Sequence, residues 1–381
     1  MIVNLFKRIF LFLFVKDYIK KAASDKWVFI SYLSEPFYKK LDETYLNRHQ
    51  NRRESIIIAD CFHQFGFNVH VSRFDKPLIF RRRKYDVVFG LEPNFEKISQ
   101  ANHDAIKIYY ATGAYWEFQN KQIVTRTAQA SQRFNYPFIK HRMVAPHQSA
   151  IIADHIMQIG TPNTIKSYPK EIRHKIHIIR QSITIANDLY QIKTEGSTNK
   201  KSFLWFGSGG SILKGLDLLL IIFEKYEEFT LHIVGKMDDD FHSMYSGRKE
   251  SGNIKYHGYI EITDPCLMSI VNECAFVIFP SASEGMPGSL LNMMYLGLIP
   301  ITTSICASPE MYKLGAIVDL DLESIEGGML RLNQLSDAEL IDLSIQNRKY
   351  VLENFSLEIF RSDFCNALST IFVNQKFKDR K

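Results

Sequence analysis

The chain has 381 residues with a formal net charge of +6, and it contains 46% hydrophobic and 23% charged residues. These proportions exclude an intrinsically disordered chain and predict a globular protein with a large core, long enough for two domains. The modest positive charge fits acidic small molecules, an anionic membrane surface or nucleic acid, and does not choose among them.

The first 25 residues form a basic and aromatic segment. Its longest apolar run, residues 9–15, is far shorter than the roughly 20 residues that a membrane-spanning helix needs. No small-residue cleavage site marks it as a secretory signal. Phenylalanines between basic residues suit a helix lying on an anionic membrane surface, and a terminal helix packed on its own domain fits equally well.

The cysteine pattern bears on the cellular compartment. The five cysteines are scattered, odd in number and without a C-x-x-C pair, which does not suit a disulfide framework. We therefore expect reduced, buried thiols in a cytoplasmic protein, with peripheral attachment to the inner face of the membrane left open.

Strand-like and helix-like segments alternate through the first half. Runs rich in β-branched and aromatic residues predict strands, and segments with helical periodicity lie between them. The predicted strands are residues 27–32, 67–72, 85–90, 106–112 and 175–179, and the predicted helices are residues 52–66 and 122–134. A polar stretch at residues 191–202 then predicts a linker.

The alternation restarts after this stretch. Strands are predicted at residues 203–207, 229–235, 254–258, 276–280 and 299–303, helices at 214–226, 264–274 and 288–297, and a helical pattern from about residue 336 onwards. This order predicts an α/β protein with two doubly wound, Rossmann-like domains facing a cleft. The predicted divisions are a segment 1–25, an N-terminal domain 26–195, a C-terminal domain 196–355, and a final helix 356–381 that packs on the N-terminal domain.

A glycine-rich loop follows the first strand of the second series. Gly207, Gly209 and Gly210 would let a ligand approach the backbone, and their amides would favour an anion. Lys214 precedes a helix whose N-terminus disfavours a cation, and a bound diphosphate would remove that conflict. The spacing matches neither a dinucleotide fingerprint nor a P-loop. A flexible loop whose lysine reaches solvent is the alternative.

A second turn joins the fourth strand of this series to its helix. Pro287 and Ser289 suit the first helical turn, and the amides from Gly285 to Ser289 would point towards an anion in the cleft. Glu284 is placed to bind sugar hydroxyls or to stabilise positive charge developing at a sugar carbon. The simpler alternative is that the carboxylate only interacts favourably with the positive end of the helix dipole.

Together these segments resemble a known family. WFGSGGSILKGLDLLLIIF, LHIVG, IKYHGYI, VIFPSASEGMPGSLLNMMYLGLIPITT and PEM are similar, in this order, to the C-terminal half of GT-B glycosyltransferases of family 4, which are retaining enzymes that use nucleotide sugars. The resemblance covers about residues 203–355 well and the first half more loosely. It implies a hexosyltransferase that moves a sugar to a glycan or lipid-linked acceptor in cell-surface polysaccharide synthesis. The resemblance implies an enzyme that needs no metal or other cofactor. The nucleotide sugar is its co-substrate.

The resemblance also implies roles for individual residues. Lys214 matches the lysine that contacts the donor diphosphate, and Glu284 matches the first glutamate of a Glu-x7-Glu motif beside the transferred sugar; these are the implied catalytic residues. Gly258 and Tyr259 match a segment whose backbone lies near the nucleotide base in that family. The implied donor-binding set is Gly207, Ser208, Gly209, Gly210, Lys214, Gly258, Tyr259, Glu284, Gly285, Met286, Pro287, Gly288, Ser289 and Asn292.

The chain departs from the family pattern in three places. Asn292 stands where the second motif glutamate binds ribose hydroxyls, although a neutral amide still donates and accepts hydrogen bonds. The arginine expected in the loop before Lys214 is missing, so neutralisation of the diphosphate rests on Lys214 and the loop amides. SYLSEPF replaces the glycine-rich loop of the N-terminal domain. A nucleotide-sugar-binding protein that has lost catalysis is therefore an alternative.

The first domain offers candidate acceptor-binding residues near predicted element ends. HQNRRES precedes a helix and TGAYW follows a strand, and the candidates in them are His49, Arg52, Arg53, Thr112 and Tyr115. His49, Arg52 and Arg53 could equally well be ordinary charged surface residues at the start of a helix. No nucleic-acid recognition motif accompanies the basic residues, so a nucleic-acid partner is not expected.

Asp238 and Asp240 form a D-x-D pattern in KMDDDF, which resembles the metal site of GT-A glycosyltransferases. That site belongs in the first nucleotide-binding half, whereas this run follows a strand of the second domain. We expect a solvated acidic turn and no metal, with a metal-dependent glycosyltransferase as the alternative.

Overall fold

The computed structural model describes residues 15–39, 42–77, 83–184, 199–248 and 251–373. The first and second halves of this chain form two lobes, each a largely parallel β-sheet with helices packed on it. Within these ranges no helix has the length and apolar character needed to cross a membrane.

The first lobe is built on a seven-stranded sheet. Its strands are β1 (Tyr18–Lys20), β2 (Trp27–Tyr32), β3 (Asn68–Arg73), β4 (Val87–Gly90), β5 (Ile106–Ala111), β6 (His155–Ile159) and β7 (Ile176–Ile179). They lie in the order β1-β3-β2-β4-β5-β6-β7, and all pairings are parallel except that of β1 with β3. The helices are α1 (Glu43–Leu46), α2 (Gln50–Gln64), α3 (Asn94–Ala101), α4 (Trp116–Phe134), α5 (Ser149–Ile152) and α6 (Pro162–Ile165).

The second lobe is built on a six-stranded parallel sheet. Its strands are β8 (Ser202–Phe206), β9 (Thr230–Val234), β10 (Ile254–Gly258), β11 (Phe276–Phe279), β12 (Ile299–Thr303) and β13 (Ala316–Val318). Its order, β10-β9-β8-β11-β12-β13, reverses between β8 and β11. A parallel sheet binds ligands at the carboxyl ends of the strands where the order reverses. The loops after β8 and β11 therefore flank one crevice.

Seven helices accompany this part of the described chain. They are α7 (Leu216–Lys225), α8 (Asp239–Ser246), α9 (Pro265–Glu273), α10 (Gly288–Tyr295), α11 (Leu322–Asn333), α12 (Asp337–Asn354) and α13 (Leu357–Val373). The last of them returns to the first lobe, where it packs on α2 and β7. Phe364 lies 5.8 Å from Phe62 and 5.4 Å from Phe89, measured between ring centroids. The final helix thus completes part of the core of the first lobe.

Helix α4 joins the two lobes. Its C-terminal half and the segment after it share a buried apolar cluster with the second lobe, through Ala130 and Phe138. Arg126 donates two hydrogen bonds to Asp217 of α7, at 2.7 and 2.8 Å, and Arg133 donates a third at 3.1 Å. Arg126 is 3% exposed and Asp217 is fully buried. Because water screens buried charges weakly, this pair fixes one lobe against the other.

The ten strands predicted from the sequence are all present, within two residues of the predicted bounds. Strands β1, β6 and β13 escape prediction. The first and last have only three residues, which is too short for a periodic signal, and β6 carries Gln158, a buried polar residue in an apolar run.

Other expectations meet the structure less well. The helix predicted for residues 1–25 lies mostly in residues 1–14, outside the described chain, and it is wrong for Tyr18–Lys20, which is an edge strand. Most of the predicted linker and the predicted boundary at 195–196 also lie outside the described residues. Cys266 is exposed and Cys365 half-buried, so the expectation that every thiol is buried is wrong.

Replacing Asp217 by alanine should destabilise the protein by about 3–5 kcal/mol, because Arg126 would keep its charge in a buried site without a partner. The double variant Arg126→Met, Asp217→Leu removes both charges and should lose less. Thermal and urea unfolding of the two variants measure the difference. A double variant less stable than Asp217→Ala would contradict this account of the pair.

Candidate active site

A cavity of about 320 Å³ lies between the lobes, at the carboxyl ends of β8 and β11. The loops after these two strands form much of its wall, and the start of α2 closes it from the first lobe. We call it the large cavity. The lining residues that matter below are Lys214, Tyr259, Glu284, Gly288, Ser289 and Asn292.

A second cavity of about 230 Å³ adjoins the first. The carboxyl edge of the first sheet provides most of this small cavity, including Glu92, Thr112, Tyr115 and His147. Arg142 and Glu284 line both cavities. These two side chains therefore mark the junction between the two spaces.

The glycine-rich loop folds back on its own lobe. Four of its amides donate hydrogen bonds at 2.7–3.0 Å to acceptors at the end of β9 and on the loop after it. The donors are Gly207, Gly209, Gly210 and Ser211, and the last two bind the carboxylate of Asp238. The expectation that these glycine amides are free for an anion is therefore wrong. Gly207 and Ser208 line the large cavity, whereas Gly209 and Gly210 do not.

Lys214 is buried at the end of this loop. Its Nζ donates to the carbonyl oxygen of Ser208 at 3.1 Å. Burial, together with the positive charge of Arg142, lowers the pKa of its ammonium group to about 8, against the attraction of Glu284. An ammonium group has three donors, and one is used among the described residues, so two are available to a ligand in the large cavity.

Glu284 leaves the end of β11 on a turn that the first lobe supports. Ser281 Oγ donates to its Oε1 at 3.2 Å, and Thr164 Oγ1 of the first lobe donates to the carbonyl oxygen of Gly285 at 3.1 Å. A Cβ at Gly285 would lie 2.4 Å from the carbonyl oxygen of Ile159. Only glycine lets the two lobes touch here through backbone.

The N-terminus of α10 follows this turn. Pro287 is its N-cap residue and Met286 is buried behind it. In the amide orientation that satisfies both of its groups, Gln181 accepts a hydrogen bond from the Gly288 amide at 3.2 Å and donates to the Met286 carbonyl at 2.6 Å. One of the amides predicted to face an anion is thus occupied. Ser289 lines the large cavity, and its amide has no hydrogen-bond partner in the described parts of the chain.

Asn292 is buried on α10 and has a structural role. Its Nδ2 donates to the carbonyl oxygen of Gly288 at 2.6 Å, and its Oδ1 accepts from the amide of Thr184 at 3.0 Å. The second bond ties α10 to the chain segment that follows β7. One donor and one acceptor position of the amide group are left for a ligand.

Tyr259 lines the large cavity and is 64% exposed. Gly258 adopts a left-handed φ of 69°, and its carbonyl oxygen accepts from the Gly235 amide at 2.7 Å. Gly258 itself does not line the cavity, but its left-handed backbone turns the chain just before Tyr259, which does.

The candidate acceptor residues separate into two groups. His49 lines the large cavity, and Thr112 and Tyr115 line the small cavity. Arg52 binds the backbone and ring of Tyr45, and Arg53 donates to Asn47 Oδ1 at 2.8 Å. Neither arginine lines either cavity.

Asp238 and Asp240 are occupied by hydrogen bonds. Asp238 holds the glycine-rich loop as described, and Asp240 accepts from the Ile139 amide at 2.6 Å and pairs with His141 Nε2 at 2.7 Å. The description as a solvated acidic turn is therefore wrong, because both carboxylates bind neighbouring segments.

Three site residues escape prediction from the sequence. Arg142 comes from a loop of the first lobe that carries no motif, as does His147. Glu92 Oε1 lies 4.0 Å from His147 Nε2, and Glu92 Oε2 and His147 Nδ1 are buried without a hydrogen-bond partner among the described residues. Buried polar atoms are nearly always paired in proteins, so these two atoms keep hydrogen-bonding capacity at the wall of the small cavity.

Comparisons with known proteins agree with this architecture. Residues 200–334 match the family model described as glycosyl transferases group 1. A glycosyltransferase from Rickettsia africae ESF-5 superposes with a TM-score of 0.57 at 12% identity, over 92% of this chain and all of that one. WaaG, a glycosyltransferase involved in lipopolysaccharide biosynthesis, gives a TM-score of 0.52 at 12% identity, over 91% of this chain and 100% of that one.

The chain has the GT-B fold. A TarM variant from S. aureus, in complex with Fondaparinux, alpha-GlcNAc-glycerol and UDP, gives a TM-score of 0.51 at 15% identity over 73% of this chain. This GT-B chain spans only 55% of the length of that protein. Comparison with curated proteins gives no match.

The depressed pKa of Lys214 predicts pH-dependent binding of a diphosphate. As the pH rises through about 8, Lys214 loses its proton in the free protein, so affinity should fall. Calorimetric titration with UDP between about pH 7 and pH 9.5 measures this. Lys214→Arg keeps its charge over this range and should bind UDP with a flatter pH profile. Identical profiles for the two proteins would rule out Lys214 as the titrating group.

The contacts of Asn292 predict that replacing it with aspartate, which has the same shape and a negative charge, destabilises the protein. Asn292→Asp replaces the donor to Gly288 with a carboxylate oxygen facing a carbonyl oxygen, and should lower stability by about 1–3 kcal/mol near neutral pH. At low pH the acid is protonated and can donate, so the deficit should shrink. Melting temperatures of both proteins across pH provide the measurement, and an unchanged melting temperature near neutral pH would show that the bond contributes little.

Proposed function

We propose that this protein is a glycosyltransferase that transfers a hexose-like sugar, with retention, from a nucleotide-diphosphate sugar to a glycan or lipid-linked acceptor, as in family 4. The observation that carries the proposal is that Lys214 and Glu284, from the loops after β8 and β11, line one cavity between two lobes of the GT-B fold. The family model covers both residues.

The two adjoining cavities suit the two substrates. A nucleotide fits the large cavity, with Tyr259 at the base end and Lys214 with the Ser289 amide at the diphosphate. The sugar then extends past Glu284 towards the small cavity, where Thr112, Tyr115, Glu92 and His147 present groups that hydrogen-bond hydroxyls. The acceptor hydroxyl attacks on the face that the diphosphate leaves, and the protein contributes positioning and electrostatic stabilisation. The reaction requires no metal or organic cofactor.

The solved relatives support the substrate classes. The TarM variant binds UDP and alpha-GlcNAc-glycerol, and WaaG acts in lipopolysaccharide biosynthesis. We extend these to a role in cell-surface polysaccharide synthesis at the cytoplasmic face of a membrane, with peripheral attachment through an anionic surface.

A second function is a nucleotide-sugar-binding protein without turnover. Asn292 favours it, because this neutral side chain already binds Gly288 and Thr184 where a ribose-binding glutamate is expected. A thermal-shift screen of UDP-, GDP- and ADP-sugars identifies the donor, since a ligand of the folded state raises the melting temperature. Transfer or hydrolysis of that donor distinguishes an enzyme from a binder, and NMR of the product anomer tests retention.

Glu284→Gln should lower turnover by about 100-fold or more while donor affinity changes little, because the amide keeps the shape and loses the charge at the reacting sugar. Glu227→Gln, an exposed change outside both cavities, serves as the control. Steady-state kinetics and calorimetry separate the two effects. Normal turnover in Glu284→Gln would remove Glu284 from the mechanism.

A further inference from the structure

We propose that Arg142, carried by the first lobe, binds the diphosphate of the donor together with Lys214. The inference rests on the proposed function and adds a second cation to its site. It makes the diphosphate a ligand of both lobes at once.

The second lobe offers few groups to hold a diphosphate alone. The amides of Gly207, Gly209, Gly210 and Ser211 in its glycine-rich loop are occupied, and so is the Gly288 amide. Lys214 is the cation that this lobe contributes to the large cavity within the described residues. A nucleoside diphosphate carries two or more negative charges, so another cation is needed in a partly buried site.

Arg142 is placed to supply that charge. Its side chain crosses the glycine-rich loop so closely that a Cβ at Gly210 would lie 2.6 Å from Arg142 Cδ. Its guanidinium makes no ion pair or hydrogen bond in the described parts of the chain, although the residue lines both cavities. Its charge also helps to depress the pKa of Lys214, so the two cations lie near each other, and an anion between them would stabilise both.

The loop that carries Arg142 is held from both lobes. Gln119 Nε2 donates to the Arg142 carbonyl oxygen at 3.0 Å, and Asn120 pairs with the backbone of Val144. Asp240 of the second lobe binds the Ile139 amide and His141 just before it. Arg142 itself has a left-handed φ of 63°, a conformation that costs free energy for a residue with a side chain. The backbone is thus built to present this side chain.

Arg142→Gln tests the inference, with Lys140→Gln as the matched control. Lys140 is exposed on the same loop and lines neither cavity, so this variant removes the same charge. Calorimetry with UDP and with inorganic pyrophosphate should show about 10- to 100-fold weaker binding for Arg142→Gln and little change for Lys140→Gln. Arg142→Lys, which keeps the charge without the planar fork, should be intermediate.

The outcomes separate this inference from the proposed function. Wild-type affinity for UDP and pyrophosphate in Arg142→Gln overturns the inference, including the case in which only the KM for the acceptor rises. Weakened binding in Arg142→Gln without any sugar transfer by the wild type supports the diphosphate site and rejects the enzyme. A wild-type protein that binds neither probe rejects both.

Discussion

The buried ion pair between Arg126 and Asp217 is the constraint on which the site depends. The cleft takes residues from both lobes, so its chemistry exists only while the lobes keep their relative position. Polar contacts at a lobe boundary usually tolerate sliding, but a two-point hydrogen bond between a guanidinium and a carboxylate has a defined direction. Arg133 adds a third bond to the same carboxylate. The geometry of the cleft therefore depends on the contact between α4 and α7.

Some carboxylates near this site hold its loops in place, and another lines its cavities. Asp238 binds the glycine-rich loop and Asp240 binds the segment before Arg142, so two acidic residues separated by one position set the positions of a loop in each lobe. Glu284 is different, because its contact to Ser281 leaves it on the wall shared by the two cavities. Carboxylates therefore have two roles here: those of Asp238 and Asp240 hold loops, and that of Glu284 is placed to contact a ligand.

Much of the fold can be predicted from the sequence, because strands such as β2 and β11 are largely apolar, buried runs and the loop after β11 carries glycine and proline. The meeting of Lys214 and Glu284 follows from topology alone, since β8 and β11 are neighbours at the reversal of strand order. The occupied amides of the glycine-rich loop were not predictable, because their acceptors, Val234, Lys236 and Asp238, belong to β9 and the loop after it. The role of Arg142 in the site could not be predicted from the sequence for a similar reason. Its position depends on a contact between lobes, and no local pattern encodes that contact.

The return of α13 to the first lobe has a consequence for synthesis. Chains emerge from the ribosome N-terminus first, and domains generally fold in that order. Here Phe62 and Phe89 receive their partner Phe364 from the last helix of the described chain. The N-terminal lobe therefore keeps part of its aromatic core uncovered until α13 has been synthesised.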